Sequence, residues 1–358
     1  MLSIFTNENC IDYSGLILQP FPNPQFKGWV TNLQFRKKAV MQTYLKSRPV
    51  GIQLLLFIGM AFGIFIVFSI IGVAILSNLT GISLFQLQDI DKWDSNNPNM
   101  ILYIRGMLVI QFLGLFVIPS LLFGYFSDPK PASYLGLKPP GRTIYWILGI
   151  LALLVSIPFV EYLGILNQKM IIGGDTQKWM KSMEEEAAKQ IQFMLSKHTP
   201  DELFLNLIFI SVFAGIGEEL FFRGVLQRLF IKLTKNPWAG IVLTAILFSG
   251  FHLQFYGFLP RLFLGVLLGA LYWYSGSLWT SILAHFIYDA LIIIVVYFKP
   301  EMIKDTNATM VDPAQLTIMA LVSAVLTFLI VLQLIRKSKT TYPAVYKDDH
   351  PPQDELSF

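Results

Sequence analysis

Apolar residues in this chain come in long unbroken runs, unlike the alternating or one-faced patterns of water-soluble elements. A run of roughly 17–25 residues can cross a bilayer as a helix. Eight such runs are legible, at about 52–76, 107–126, 144–166, 203–228, 238–256, 259–275, 279–298 and 314–335. The first is the cleanest, with no charge from Gly51 to Thr80. Between the third and fourth runs the pattern changes. Trp179, Met183, Ala187, Ile191 and Leu195 recur at four-residue steps, with Lys178, Lys181, Glu184, Glu185 and Lys189 between them. That spacing predicts an amphipathic helix lying in the interface. Its plainer role is a packing strut, its sharper one a lid over a site. The expected fold class is an all-α polytopic membrane bundle with about eight transmembrane helices.

Composition agrees with solvation by lipid. The 358 residues are 54% hydrophobic and only 14% charged, where a soluble domain carries about 25% charged residues. The mean hydropathy is +0.57. These values exclude a disordered chain, a disulfide scaffold and an ordinary cytosolic enzyme, and Cys10 is the only cysteine. The net charge of +4 forms no basic block interleaved with aromatics, so no nucleic-acid partner is expected. Its placement is informative in another way. Lys and Arg gather before the first run, at 130–142, around Arg228–Lys235, and after the last run at Arg336, Lys337 and Lys339. The alternate loop 77–100 holds Asp89, Asp91 and Asp94. By the positive-inside rule both termini are expected in the cytoplasm, which requires an even number of spans.

Ionisable residues inside the apolar runs carry the chemistry. Each costs about 2.5–3.5 kcal/mol at mid-bilayer on insertion scales, so each calls for a partner or a function. The fourth run holds Glu218, Glu219 and Arg223. Glu219 and Arg223 stand at i and i+4 and can pair. Glu218 is turned by about 100° from Glu219 and is left without that arginine. The fifth run ends Phe248-Ser-Gly-Phe-His252, and the seventh holds His285 and Asp289 one turn apart. Two carboxylates, two imidazoles, an aspartate and an arginine from three helices make the inventory of a hydrolytic site. The helices can meet there only if the fourth continues to about Phe230 and the fifth to about Tyr256. Gly59-xxx-Gly63 and Gly265-xxx-Gly269 are spacings that let helix backbones approach closely.

The ordered set Glu218-Glu219-x-x-x-Arg223, Phe248-x-x-x-His252 and His285-x-x-x-Asp289 resembles the signature of the CAAX-protease and bacteriocin-processing (CPBP or ABI) family of intramembrane endopeptidases. The resemblance covers roughly 200–300. It implies a metalloprotease-type label and a membrane-embedded or lipidated peptide substrate, with a prenylated CAAX-type protein as one case. By that resemblance Glu218 and His252 activate water, His285 and Asp289 hold the oxyanion or share an ion, and Glu219 with Arg223 and Phe248 support the site. Asp289 departs from the Asn often found at this position, and a carboxylate donates a hydrogen bond only when protonated. Zinc is a candidate cofactor, with His252, His285 and Asp289 as candidate ligands, although the motif equally supports a metal-free Glu/His mechanism. The expected organisation is a cytoplasmic tail over 1–48, accessory spans and the interfacial helix over 49–200, a catalytic core over 201–300, a final span over 301–338 and a disordered tail over 339–358. The expected location is the cytoplasmic membrane. Two rivals remain: a non-proteolytic immunity or scaffold protein of the same fold, and an ion-coupled transporter.

Overall fold

The computed structural model describes residues 43–170, 173–301 and 312–346. Most of the expected N-terminal tail and the last twelve residues lie outside them. Ten helices organise the described residues. They are α1 (Val50–Thr80), α2 (Pro98–Ser127), α3 (Ile144–Gln168), α4 (Asp175–Met194) and α5 (Pro200–Thr234). They continue with α6 (Pro237–Phe251), α7 (Phe258–Ser275), α8 (Leu278–Phe298), α9 (Pro313–Lys337) and the short α10 (Tyr342–Tyr346). Apart from α4, α6 and α10, these are seven helices long and apolar enough to cross a membrane. Large apolar side chains stay exposed along α1 and α9, among them Leu55, Ile70, Leu321 and Phe328, as expected of surfaces that meet acyl chains.

Local sequence sets several of the boundaries. Asn97, Asn236 and Asp312 cap α2, α6 and α9 by accepting backbone N–H bonds, and each precedes a proline that fixes the first helical residue. Gly81 and Gly276 end α1 and α7 in the left-handed conformation that glycine adopts without penalty.

Two of the expectations fail. The fifth run does not extend to Tyr256. It stops at Phe251 and gives a helix of 15 residues, about 22 Å long at 1.5 Å per residue. His252 closes it and Leu253 follows with φ of 55°, so the backbone breaks away at the histidine. The expected disordered tail also begins with order. Tyr346 in α10 is buried and donates its hydroxyl to Arg228 O at 2.8 Å. By contrast α5 does continue beyond Phe230, reaching Thr234.

Contacts at the helix ends sort the bundle into two faces. On one, Lys46 lies 3.4 Å from Asp128, Tyr145 donates to Lys337 O at 2.7 Å, and Leu278 N donates to Gly136 O at 2.8 Å. On the other, Lys189 pairs with Asp91, Arg105 with Glu202, and Asn167 Nδ2 donates to Phe255 O at 2.9 Å. Consecutive long helices therefore run in alternating directions. Helix α4 belongs to the second face, where Trp179 packs on Phe255 with ring centroids 5.1 Å apart.

Candidate active site

Helices α5 and α6 form a hairpin about Lys235. Glu218 lies seventeen residues before Lys235 and His252 seventeen residues after it. Equal arms bring the two to roughly the same depth, with His252 at the close of α6. Glycine prepares α5 for close neighbours on either side. A Cβ on Gly215 would meet Ile282 O of α8 at 3.2 Å, and one on Gly217 would meet Phe112 of α2 at 2.9 Å. The helix bonds in the wider i→i+5 pattern over Ala214–Gln227, a form that concentrates at functional sites. Aromatic rings close the surroundings: Phe112 stacks on Phe213 at 4.1 Å, and Phe57, Phe116 and Phe222 pack on Phe221.

The expected Glu219–Arg223 pair forms, but it is part of a larger network. Arg223 Nη1 donates to Glu219 Oε1 at 2.6 Å, and both side chains are fully buried. Glu219 Oε1 also accepts from His285 Nδ1 at 3.0 Å. His285 Nε2 lies 3.4 Å from Asp289 Oδ2, at the long edge of hydrogen bonding. Arg223 Nη2 donates to Gly265 O of α7 at 3.2 Å. Four of the expected residues thus join into one chain spanning α5 and α8 and tied to α7. Glu219 does more than brace its own helix, since it also orients His285.

Glu218 and His252 stand outside that chain. Glu218 Oε2 is buried with no hydrogen-bonding partner from the protein. His252 Nδ1 is 2.8 Å from Phe248 O. A carbonyl only accepts, so Nδ1 carries the proton and Nε2 keeps its lone pair. Phe248 is the hub between the two halves. Its ring lies under the Arg223 guanidinium at 4.3 Å and packs on His252 at 5.1 Å and His285 at 6.1 Å.

The sequence reading passed over Gln227, Arg261, Gln254 and Asn167. Gln227 Nε2 donates to Gly269 O at 3.0 Å, one turn beyond the Arg223–Gly265 bond. The Gly265-xxx-Gly269 spacing therefore exposes two carbonyls that Arg223 and Gln227 reach as successive rungs. A Cβ on Gly59 or Gly63 would meet nothing within 4 Å, so that copy of the spacing joins no helices among the described residues. Arg261 donates to Gln254 O at 2.9 Å and pairs with the Gln254 side chain. Its signal was a charge at the start of an apolar run. Asn167 clamps the turn after His252, donating to Phe255 O and accepting from Leu259 N at 2.6 Å.

A catalytic zinc needs about three protein ligands. Among the described residues, no three His, Cys, Asp or Glu side chains are grouped to hold a metal ion. The suggested set of His252, His285 and Asp289 does not fit, because both His285 nitrogens face carboxylates while His252 bonds back to its own helix.

Residues 200–291 match the family model described as Type II CAAX prenyl endopeptidase Rce1-like. The matched segment holds the whole of α5, α6 and α7, and α8 as far as Leu291, with every motif residue named above. No curated protein and no solved structure matches the chain. The likeness to a CAAX-type endopeptidase family is confined to this segment.

Proposed function

We propose that the chain is an intramembrane endopeptidase that hydrolyses peptide bonds of membrane-associated substrates with a water activated by Glu218 and His252. The observation that carries this reading is the division of the two adjacent glutamates. Glu219 is tied through Oε1 to both Arg223 and His285, its Oε2 staying buried without a partner, whereas Glu218 is held by neither and keeps a buried oxygen without a protein partner at the depth of His252. Glu218 takes a proton from water as its oxygen attacks the scissile carbonyl, and His252 Nε2 holds that water by accepting its second hydrogen. The proton passes from Glu218 to the leaving nitrogen as the C–N bond breaks. His285 supplies Nε2–H to the oxyanion by giving up its long contact to Asp289. No step is routed through a metal.

The likeness of residues 200–291 to the Rce1-like family supports, as the substrate class of this reading, a lipidated, CAAX-type protein in the cytoplasmic membrane, cut near its C-terminus. The Lys/Arg distribution supports cytoplasmic termini, with α6 as the eighth crossing.

A cleavage assay on the purified full-length protein tests the reading. The probe is a peptide with a prenylated cysteine, compared with its unprenylated counterpart, each with and without chelator. Cleavage of the prenylated peptide, unchanged by chelator and abolished in Glu218→Gln, is expected. Cleavage lost on chelation would overturn the metal-free route. An absence of cleavage, with biological activity kept by Glu218→Gln, would favour a membrane immunity or scaffold protein of the same fold.

A further inference from the structure

Bonded to Gln254, two residues after His252, is a cation that the hydrolytic machinery does not use. Arg261, in the first turn of α7, is half-buried. A guanidinium has five N–H donors. Gln254 takes two of them, one at its carbonyl and one at its side chain. No carboxylate among the described residues stands within ion-pair distance. Glu184 of α4 and Glu218 of α5 act on it electrostatically from further off. Glu184 Oε2 and Glu218 Oε2 are themselves buried without hydrogen-bonding partners. An arginine in a membrane protein's apolar segment normally pairs with an acid; here three donors of a planar fork are left over at the turn that follows His252.

We infer that Arg261 is the specificity residue that receives the terminal carboxylate of the substrate peptide, with Glu184 as the in-chain carboxylate that competes for it. This rests on the peptidase reading above. The fork of Arg matches a carboxylate through two parallel N–H···O bonds, which a lysine cannot reproduce. The position selects a chain end over an internal acid. Arg261 is bonded to Gln254, two residues from His252, and an extended residue spans about 3.3–3.6 Å, so a carboxylate on Arg261, with the scissile carbonyl at the water held by His252, leaves room for only a few residues between them. The product released is then a short peptide bearing the free C-terminus. Glu184 reaches this place because Trp179 holds α4 over Phe255, which gives the amphipathic helix a role at the site in addition to packing.

The test compares the prenylated peptide with a free terminal carboxylate, the same peptide as its terminal amide, and an amide whose last residue is Glu. Dissociation constants and cleavage rates are both measured on the full-length protein. The wild type is expected to bind the acid about tenfold more tightly than the amide, the worth of about 1.4 kcal/mol. R261Q should bring that ratio to within about twofold of one, and R261K should fall between, since it keeps the charge and loses the fork. E184Q, on a helix outside the membrane core, should raise the ratio about threefold by removing the competitor. Wild-type protein that binds acid and amide equally overturns the inference, as does a preference that survives R261Q and ignores E184Q. Equal binding of the Glu-ended amide also overturns it, by assigning Arg261 to side chains. Cleavage without an Arg261-dependent preference leaves the peptidase reading standing and removes this one. A preference without cleavage does the reverse.

Discussion

The two halves of the site differ in whether their charged side chains bond to one another, although Glu219 Oε2 and Arg223 Nε stay buried without partners even in the bonded half. In one, Glu219, Arg223 and His285 bond to one another at 2.6 and 3.0 Å, and Arg223 reaches Gly265 O at 3.2 Å. In the other, Glu218 and Glu184 each keep a buried oxygen without a partner, Arg261 bonds only to Gln254, and His252 bonds only to its own helix. Closed networks rigidify and specify a core, whereas unpaired buried groups are costly and persist where they have another task. The closed half is a frame. The open half has the groups available to water and substrate.

The largest expected effect comes from breaking the open half. Glu218→Gln should lower the cleavage rate by about 10²–10⁴-fold, the contribution of a positioned general base. Its thermal melting in detergent should stay close to wild type, because no protein partner is lost. A rate within a few-fold of wild type would take the base role from Glu218. The same change one residue later should be felt in stability. Glu219→Gln leaves Arg223 buried and unpaired, at a cost of about 3–5 kcal/mol, read as a lowered melting temperature. Equal melting of the two variants would erase the distinction between the halves.

Smaller effects test the frame's attachment to α7. A Cβ on Gly269 would meet Gln227 Oε1 at 2.6 Å and Ile241 Cγ2 at 2.9 Å. Gly269→Ala should therefore destabilise by about 1–3 kcal/mol through overpacking. Gly59→Ala should stabilise α1 by at most about 1 kcal/mol, since nothing lies within 4 Å and alanine is the better helix former. Chemical denaturation of the two variants gives both signs. Destabilisation by Gly59→Ala would mean that α1 packs on something in the membrane.

Much of this was legible in the sequence because burial in lipid leaves so few charges. The long apolar runs gave the bundle, and the i, i+4 spacings gave Glu219–Arg223 and His285–Asp289. The link from Glu219 to His285 was not legible, since it joins residues 66 positions apart and depends on how α5 and α8 turn toward each other. The end of α6 was misjudged for a different reason. Residues 252–256 are apolar enough to continue a helix, and only the Asn167 clamp and the left-handed Leu253 stop it. Glu184 was read only as one of the charges between the apolar positions of the amphipathic helix, and Arg261 was passed over. Their meaning lies in the partners they lack.

The early stop of α6 also bears on the surrounding lipid. A helix of 15 residues falls short of a hydrocarbon core about 30 Å thick by about 8 Å. Such a deficit is met by local thinning of the bilayer. Thinning at the His252 end of the helix brings headgroups and their hydration shell toward the histidine from the side. A hydrolase buried in oil must obtain its second reactant from somewhere, and the length of one helix provides a route that needs no channel through the protein.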